Sequence, residues 1–253
     1  MSAKQRGILM SALMVQAILA GRKTQTRRDV KFSEPFTDHW SWRAVYPHPR
    51  GGFIFTEHPS NNPAVLLPKL ASGREGKMCP HGQPGDLLWV RESHYILDCR
   101  PEIVLKPKST KPRKPWPASV MYKADDGTER EGQEHSVTAP PEGWRERYDN
   151  DHVRYNPGRW MPKFASRLWL EITDVRVQRR QDISIDDAIA EGIEHHHLAG
   201  FGWRNYAYTD PLAHCRFAID SYRSLSESIN GPDAWRSNPW VWAITFKRTE
   251  KPQ

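Results

Sequence analysis

Apolar and polar positions divide the chain into a few well-marked segments. Gly7 to Ala20 is mostly apolar, with Leu13 and Ala17, and Met14 and Ile18, falling i,i+4 on one helical face. Ser11 suits an N-cap and Gly21 a C-terminal glycine, so a short buried helix is predicted between them. Pro84-Gly85-Asp86 reads as a turn leading into a buried strand, Leu87 to Val90. Arg167 to Val177 is the most strand-like segment, apolar at Leu168, Leu170, Ile172, Val175 and Val177, with a possible bulge near Asp174. Ser184 is positioned to cap a helix over Ile185 to Glu191 that Gly192 stops, and Asp186 and Asp187 in its first turn suit the helix dipole. A longer helix is expected from Pro211 to Ile229, ended by Gly231-Pro232, and a final strand from Trp240 to Phe246.

Between these segments the pattern breaks down. Residues 30–75 are rich in proline and glycine, with a short strand possible at Phe53-Ile54-Phe55. Residues 100–155 hold the basic, proline-rich run Lys106 to Pro117, a possible strand from Ala118 to Lys123 and an Asp-Asp-Gly turn. Both stretches read as long insertions in one domain spanning 1–253, and residues 247–253 as a charged tail. Strands separated by long connections, without βαβα alternation, indicate an α+β fold. GxGxxG, Walker A and GxSxG motifs do not occur, which removes the usual phosphate-cradle and hydrolase-elbow readings.

Composition changes the picture in two ways. Of 253 residues, 37 are Lys or Arg and 30 Asp or Glu, and the net charge of +7 favours an anionic partner. Eleven tryptophans in such a basic chain fit a nucleic-acid or nucleoside binder. Trp89, Trp169, Trp240 and Trp242 fall on expected strands, where core packing is the default, although one could wall a base pocket. Trp40, Trp42, Trp116, Trp144 and Trp203 fall in expected loops, where stacking on a base is more plausible. Lys106, Lys108, Lys111, Arg113 and Lys114 form either a linker or a phosphate-tracking loop with Trp116 as its stacking platform.

Three widely spaced cysteines support neither a disulfide framework nor a zinc site. The His195-His196-His197 run and the Cys79-x-His81 pair are poor metal ligand sets, so no metal or other cofactor is expected. Lys4 and Arg6 before the apolar run resemble an export signal, but Ser11 and Gln16 interrupt it and no small-x-small site follows. No run approaches the ~18 apolar residues of a membrane span. The chain is therefore read as cytoplasmic, without a membrane partner.

The candidate chemistry lies just past the first helix, in Gly21-Arg-Lys-Thr-Gln-Thr-Arg-Arg-Asp29. It is either a solvated basic turn or a site. A lysine in a dry cleft loses its proton more easily and can act as base for a nearby threonine hydroxyl, and an arginine can hold a carbonyl or phosphate oxygen.

Ile18 to Asp29 resembles the GxKxxTxR signature of ASCH domains, of the PUA-like barrel superfamily. Four further segments are similar to that family in the same order: Pro84 to Val90, Leu170 to Val175, Asp187 to Gly192 and Val241 to Phe246. Its phage and prophage branch resembles the chain most, through Cys79 to Glu92, Met161 to Arg167 and Asn238 to Trp242. The resemblance implies a PUA-like β-barrel with flanking helices and two long loop insertions. It also implies an activity like that of the bacterial N(4)-acetylcytidine amidohydrolases, whose lysine, threonine and glutamate fall here on Lys23, Thr26 and Glu191. In that reading Thr26 attacks or positions water on the acyl carbonyl, Lys23 is base or oxyanion partner, and Glu191 holds Lys23 and relays a proton. Arg28, Thr24 and Trp89 would contact substrate, and no metal is needed. The alternative is a non-catalytic module binding RNA or modified-base nucleic acid, or a small ribonuclease using the same cluster.

Overall fold

The computed structural model describes residues 3–31, 44–47, 52–56, 78–97, 119–122, 135–136, 153–161, 163–196, 202–207 and 213–252. They form a mixed α+β structure with many strands and few helices. In chain order the elements are β1 (Gln5–Leu9), α1 (Ala12–Leu19), β2 (Gln25–Asp29), β3 (Ala44–Pro47), β4 (Phe53–Thr56), β5 (Leu87–Arg91), β6 (His94–Leu97), β7 (Ser119–Tyr122), β8 (His135–Ser136) and β9 (Val153–Asn156). They continue with β10 (Trp169–Arg179), α2 (Ile185–Ala190), β11 (Trp203–Arg204), β12 (His214–Cys215), α3 (Ala218–Asn230) and β13 (Trp240–Thr249). The main sheet has the order β1-β5-β10-β13-β2, and a second sheet has the order β8-β7-β6-β9. β3–β4 and β11–β12 are two-stranded pairs. Among the described residues no sheet closes into a barrel; β1 and β2 end the five-stranded order.

The chain divides into two compact units. The first comprises Met1–Arg6, Ala20–Leu87 and Glu171–Arg248; the second comprises Gly7–Leu19, Leu88–Leu170 and Thr249–Gln253.

In the first unit β13 pairs antiparallel with β2, placing Ile244 opposite Thr26 and Trp242 opposite Arg28. Trp240 to Ile244 are buried without alternation, as expected of an inner strand covered on both faces. Phe53 of β4 meets Trp242 edge-on at 5.5 Å, and Phe55 meets Trp240 at 5.9 Å. The Ser184 side chain caps α2 by accepting from the Asp187 amide at 3.1 Å, and Gly192 leaves the helix at φ 87°. Ala188 of α2 packs with Ile183, Ile193, Ala218, Tyr222 and Leu225, which joins α2 to α3. α3 starts at Ala218, not at Pro211, because His214–Cys215 pairs with Trp203–Arg204 as β12 and β11. Pro211 itself lies outside the described residues.

In the second unit α1 buries Val15, Ala17 and Ile18, and the Met14 amide donates to the Ser11 hydroxyl at 3.4 Å. β5 alternates, with Leu88 and Val90 buried and Trp89 and Arg91 partly exposed. The Ser166 hydroxyl lies 2.9 Å from the Val90 carbonyl and 3.0 Å from that of Leu168. Glu92 is fully buried and receives both Nε and Nη2 of Arg167 at 3.0 Å. The Arg167 guanidinium lies 3.9 Å from the centre of the Tyr122 ring.

Strands also occur inside the two stretches read as insertions: β3 and β4 in the first, and β7, β8 and most of β9 in the second. β7 and β9 both pair with β6, so the second sheet draws most of its strands from the second of these stretches. β10 runs as one strand of 11 residues.

Candidate functional site

The basic segment after α1 forms a strand as well as a turn. Gly21 turns the chain at φ 73°, a conformation that favours glycine. Lys23 then makes an isolated antiparallel bridge with Glu191. The Thr24 amide donates to the Ala190 carbonyl at 2.9 Å, and the Thr24 carbonyl accepts from Phe246 at 2.8 Å. These bonds anchor the segment between the end of α2 and β13. From Gln25 onward it is β2, whose alternation separates Gln25 and Arg27 from Thr26 and Arg28.

Lys23 is wholly buried. Its Nζ donates to Glu191 twice, at 2.6 Å to Oε2 and 2.8 Å to the backbone carbonyl. Burial holds the lysine pKa below its ordinary value. The Glu191 carboxylate opposes that shift, and the charges of Arg28 and Arg27 add to it. Glu191 is equally buried and also receives Arg27 Nη1 at 3.3 Å. Arg27 Nη2 reaches Asp187 at 2.8 Å, and its guanidinium lies 5.7 Å from the Tyr222 ring centre. Asp187 further accepts from Gln25 at 3.0 Å and from Arg176 at 3.0 and 3.2 Å. Burial alone would raise the Asp187 pKa, but these hydrogen bonds and the charges of Arg27 and Arg176 outweigh it and lower it.

Thr26 is 1% exposed, and its hydroxyl has no hydrogen-bond partner among the described residues. Such a group costs about 1–3 kcal/mol if it stays unpaired, so its retention calls for an explanation. Arg28 is partly exposed and lies within electrostatic reach of Glu191, Lys23 and His81. Burial, with the charges of Arg28 and Arg6, lowers the His81 pKa to about 4, so this imidazole is neutral above pH 5. The arrangement offers a buried lysine whose pKa burial lowers, a carboxylate in contact with it, a hydroxyl with no hydrogen-bond partner among the described residues, and an arginine at a partly exposed position.

Lys23 and Glu191 are therefore in direct contact, and Thr26 bonds to neither. Thr24 contributes its backbone, while its side chain is exposed. Trp89 lies in the second unit, with the Arg91 guanidinium 5.6 Å from its ring centre. Lys106, Lys108, Lys111, Arg113, Lys114 and Trp116 lie outside the described residues, as do Trp40, Trp42 and Trp144. Trp203, expected in a loop, is in β11 and stacks on His195 at 3.9 Å. His196 tilts against His214 at 5.4 Å. Among the described residues no group of three or more His, Cys, Asp or Glu is placed to hold a metal ion, and no helix is long and apolar enough to cross a membrane.

Sequence reasoning missed the second layer of the site. Arg27, Asp187 and Arg176 carry the charge balance around Glu191 and Gln25 adds a hydrogen bond to Asp187, yet Asp187 was legible only as a helix-dipole partner. The available signal was the period-two reading of Gln25 to Asp29, which puts Arg27 on a different face from Arg28. His81 beside Arg28 had no local signal.

No protein-family model matches the chain, and no curated protein or solved structure matches it either.

Proposed function

We propose that the protein is an amidohydrolase that removes an acyl group from N(4)-acetylcytidine or a related modified nucleoside, on an ASCH-type fold of the PUA-like class. The observation that carries this reading is the fully buried Lys23–Glu191 pair, with burial lowering the lysine pKa. In a merely structural ion pair the lysine would only hold its partner. Here a threonine hydroxyl without a partner among the described residues sits three residues away on the same segment.

Lys23 in its neutral form takes the Thr26 proton as the hydroxyl oxygen bonds to the acyl carbon. The tetrahedral oxyanion is held by Arg28. The C–N4 bond then breaks, and Lys23 returns the proton to the leaving exocyclic nitrogen, which releases cytidine. Water, deprotonated by the same lysine, cleaves the acyl-threonine ester to give the carboxylic acid and free Thr26. Glu191 keeps the lysine in place and stabilises its ammonium form between the steps. No redox step or metal is required.

The test is incubation of the pure protein with N(4)-acetylcytidine, following cytidine by chromatography, with Lys23→Ala in parallel. The reading expects turnover by the wild type and at least about a hundredfold loss in the variant. Absence of wild-type turnover on N(4)-acylcytidines, or equal turnover by both proteins, would overturn it.

A further inference from the structure

A second set of residues, all in the second unit, has the chemistry of a nucleic-acid surface. Trp160 closes a short turn, Gly158–Trp160, and is 70% exposed, more than any other large hydrophobic among the described residues. The Arg159 guanidinium lies 6.0 Å from its ring centre. On β5, Trp89 and Arg91 share the outward face, with the guanidinium 5.6 Å from the ring centre.

Backbone geometry joins these two ring–guanidinium pairs. Arg91 Nε donates to the Gly158 carbonyl at 3.3 Å, tying β5 to the turn that carries Arg159 and Trp160. Gly7 of β1 makes room for the β5 pair. A Cβ there would come within 2.7 Å of Arg91 Cδ and 2.8 Å of the Trp89 ring. A Cβ on Gly158 would come within 2.8 Å of Leu9 Cδ1 and 3.0 Å of the Glu92 carbonyl carbon. Gly7 thus gives the Trp89 and Arg91 side chains room over β1, and Gly158 lets the turn approach Leu9 and the β5 backbone.

We propose that this face, built by Trp89, Arg91, Arg159 and Trp160, binds single-stranded nucleic acid, with bases stacking on the indoles and phosphates held by the guanidinium groups. An indole presents a π-face to any base, which a duplex keeps inside its stack. Each ring is paired with a permanent cation, which suits a partner that carries both stacking bases and phosphates. This site stands on its own residues and does not depend on the hydrolytic reading.

The experiment is fluorescence anisotropy of labelled 12-nucleotide single strands, RNA and DNA, against the full-length protein across a salt series. Duplex of the same sequence and poly-glutamate serve as competitors. Both strands should bind, with stacking setting the affinity; a difference between them would identify the sugar that the face prefers. Trp160→Ala should weaken binding at least about tenfold, and Trp160→Phe should restore most of it. Arg159→Ala should flatten the slope of log K against log salt by about 0.7. Trp160 is solvent-exposed, so its loss leaves the fold intact, as circular dichroism would show. The proposal is overturned if neither strand binds at low salt, if Trp160→Ala binds like wild type, or if duplex or poly-glutamate competes as well as the single strand.

Discussion

Replacing Glu191 with glutamine removes the charge on which the buried cluster is centred while keeping its shape. At 2.6 Å and an effective dielectric near 20, the attraction between Lys23 and Glu191 is on the order of 6 kcal/mol. Much of it offsets the cost of burying both ions, yet breaking such a pair by removing one partner costs about 3–5 kcal/mol. In Glu191→Gln, Lys23 keeps the backbone carbonyl at 2.8 Å and an amide oxygen as acceptors but loses the opposing charge, and it can relieve its own by losing a proton. Arg27 keeps Asp187, so the cost falls near the lower limit, about 3 kcal/mol. Lys23→Met is cheaper, about 1–2 kcal/mol, because Glu191 retains Arg27 at 3.3 Å. The double variant should cost at least about 2 kcal/mol less than the sum of the two single changes, since the two share one interaction. Urea unfolding at pH 7, followed by tryptophan fluorescence, measures all four proteins. Glu191→Gln within about 0.5 kcal/mol of wild type, or costs that simply add in the double variant, would refute the reasoning.

Other outcomes follow from the same kind of argument. His81 has a folded pKa near 4 against an ordinary 6.5, so between these values the unfolded chain binds more protons and stability falls as pH drops from 6.5 to 4. The full shift corresponds to ~3 kcal/mol, which partial exposure reduces to about 1–2; His81→Gln should flatten the stability–pH curve in that window. In the second unit, Arg167→Met takes the two-point Arg167 contact from the buried Glu92 carboxylate and removes the stack on Tyr122. It should cost about 3–5 kcal/mol in urea unfolding, and Arg167→Lys should recover less than half because it cannot restore the two-point contact.

The segments that hydrophobic pattern could reveal are those whose burial is carried by their own residues. Leu170 and Ile172 on β10, with Leu168 just before it, and Trp240 to Phe246 on β13 announce strands because apolar side chains there fill the interior. Ser184 and Gly192 announce α2 because capping is a local interaction. β2 gives no such signal. Its sequence, Gln-Thr-Arg-Arg-Asp, is entirely polar, and it is a strand because β13 supplies the ladder and α2 with its C-cap Glu191 supplies the carboxylates that neutralise it. The start of α3 was hidden for a related reason: Cys215 fits the apolar face of the expected helix, but pairing of His214 and Cys215 with Arg204 and Trp203 claims their backbone first. The pairing of Lys23 with Glu191 spans 168 residues. It was reachable through the family resemblance and not through spacing. The Trp160–Arg159 surface drew no attention, because a tryptophan after a glycine and an arginine has no periodicity to mark it as exposed.

The most direct measurement pairs turnover with stability in Thr26→Val. The substitution is close to isosteric and removes a buried hydroxyl that bonds to nothing among the described residues. A structural role would cost stability when that hydroxyl is lost. The hydrolytic account predicts the reverse pattern: stability unchanged or raised by about 1 kcal/mol, N(4)-acetylcytidine turnover reduced at least about a thousandfold, and substantial turnover restored in Thr26→Ser. Full turnover by Thr26→Val would contradict the account.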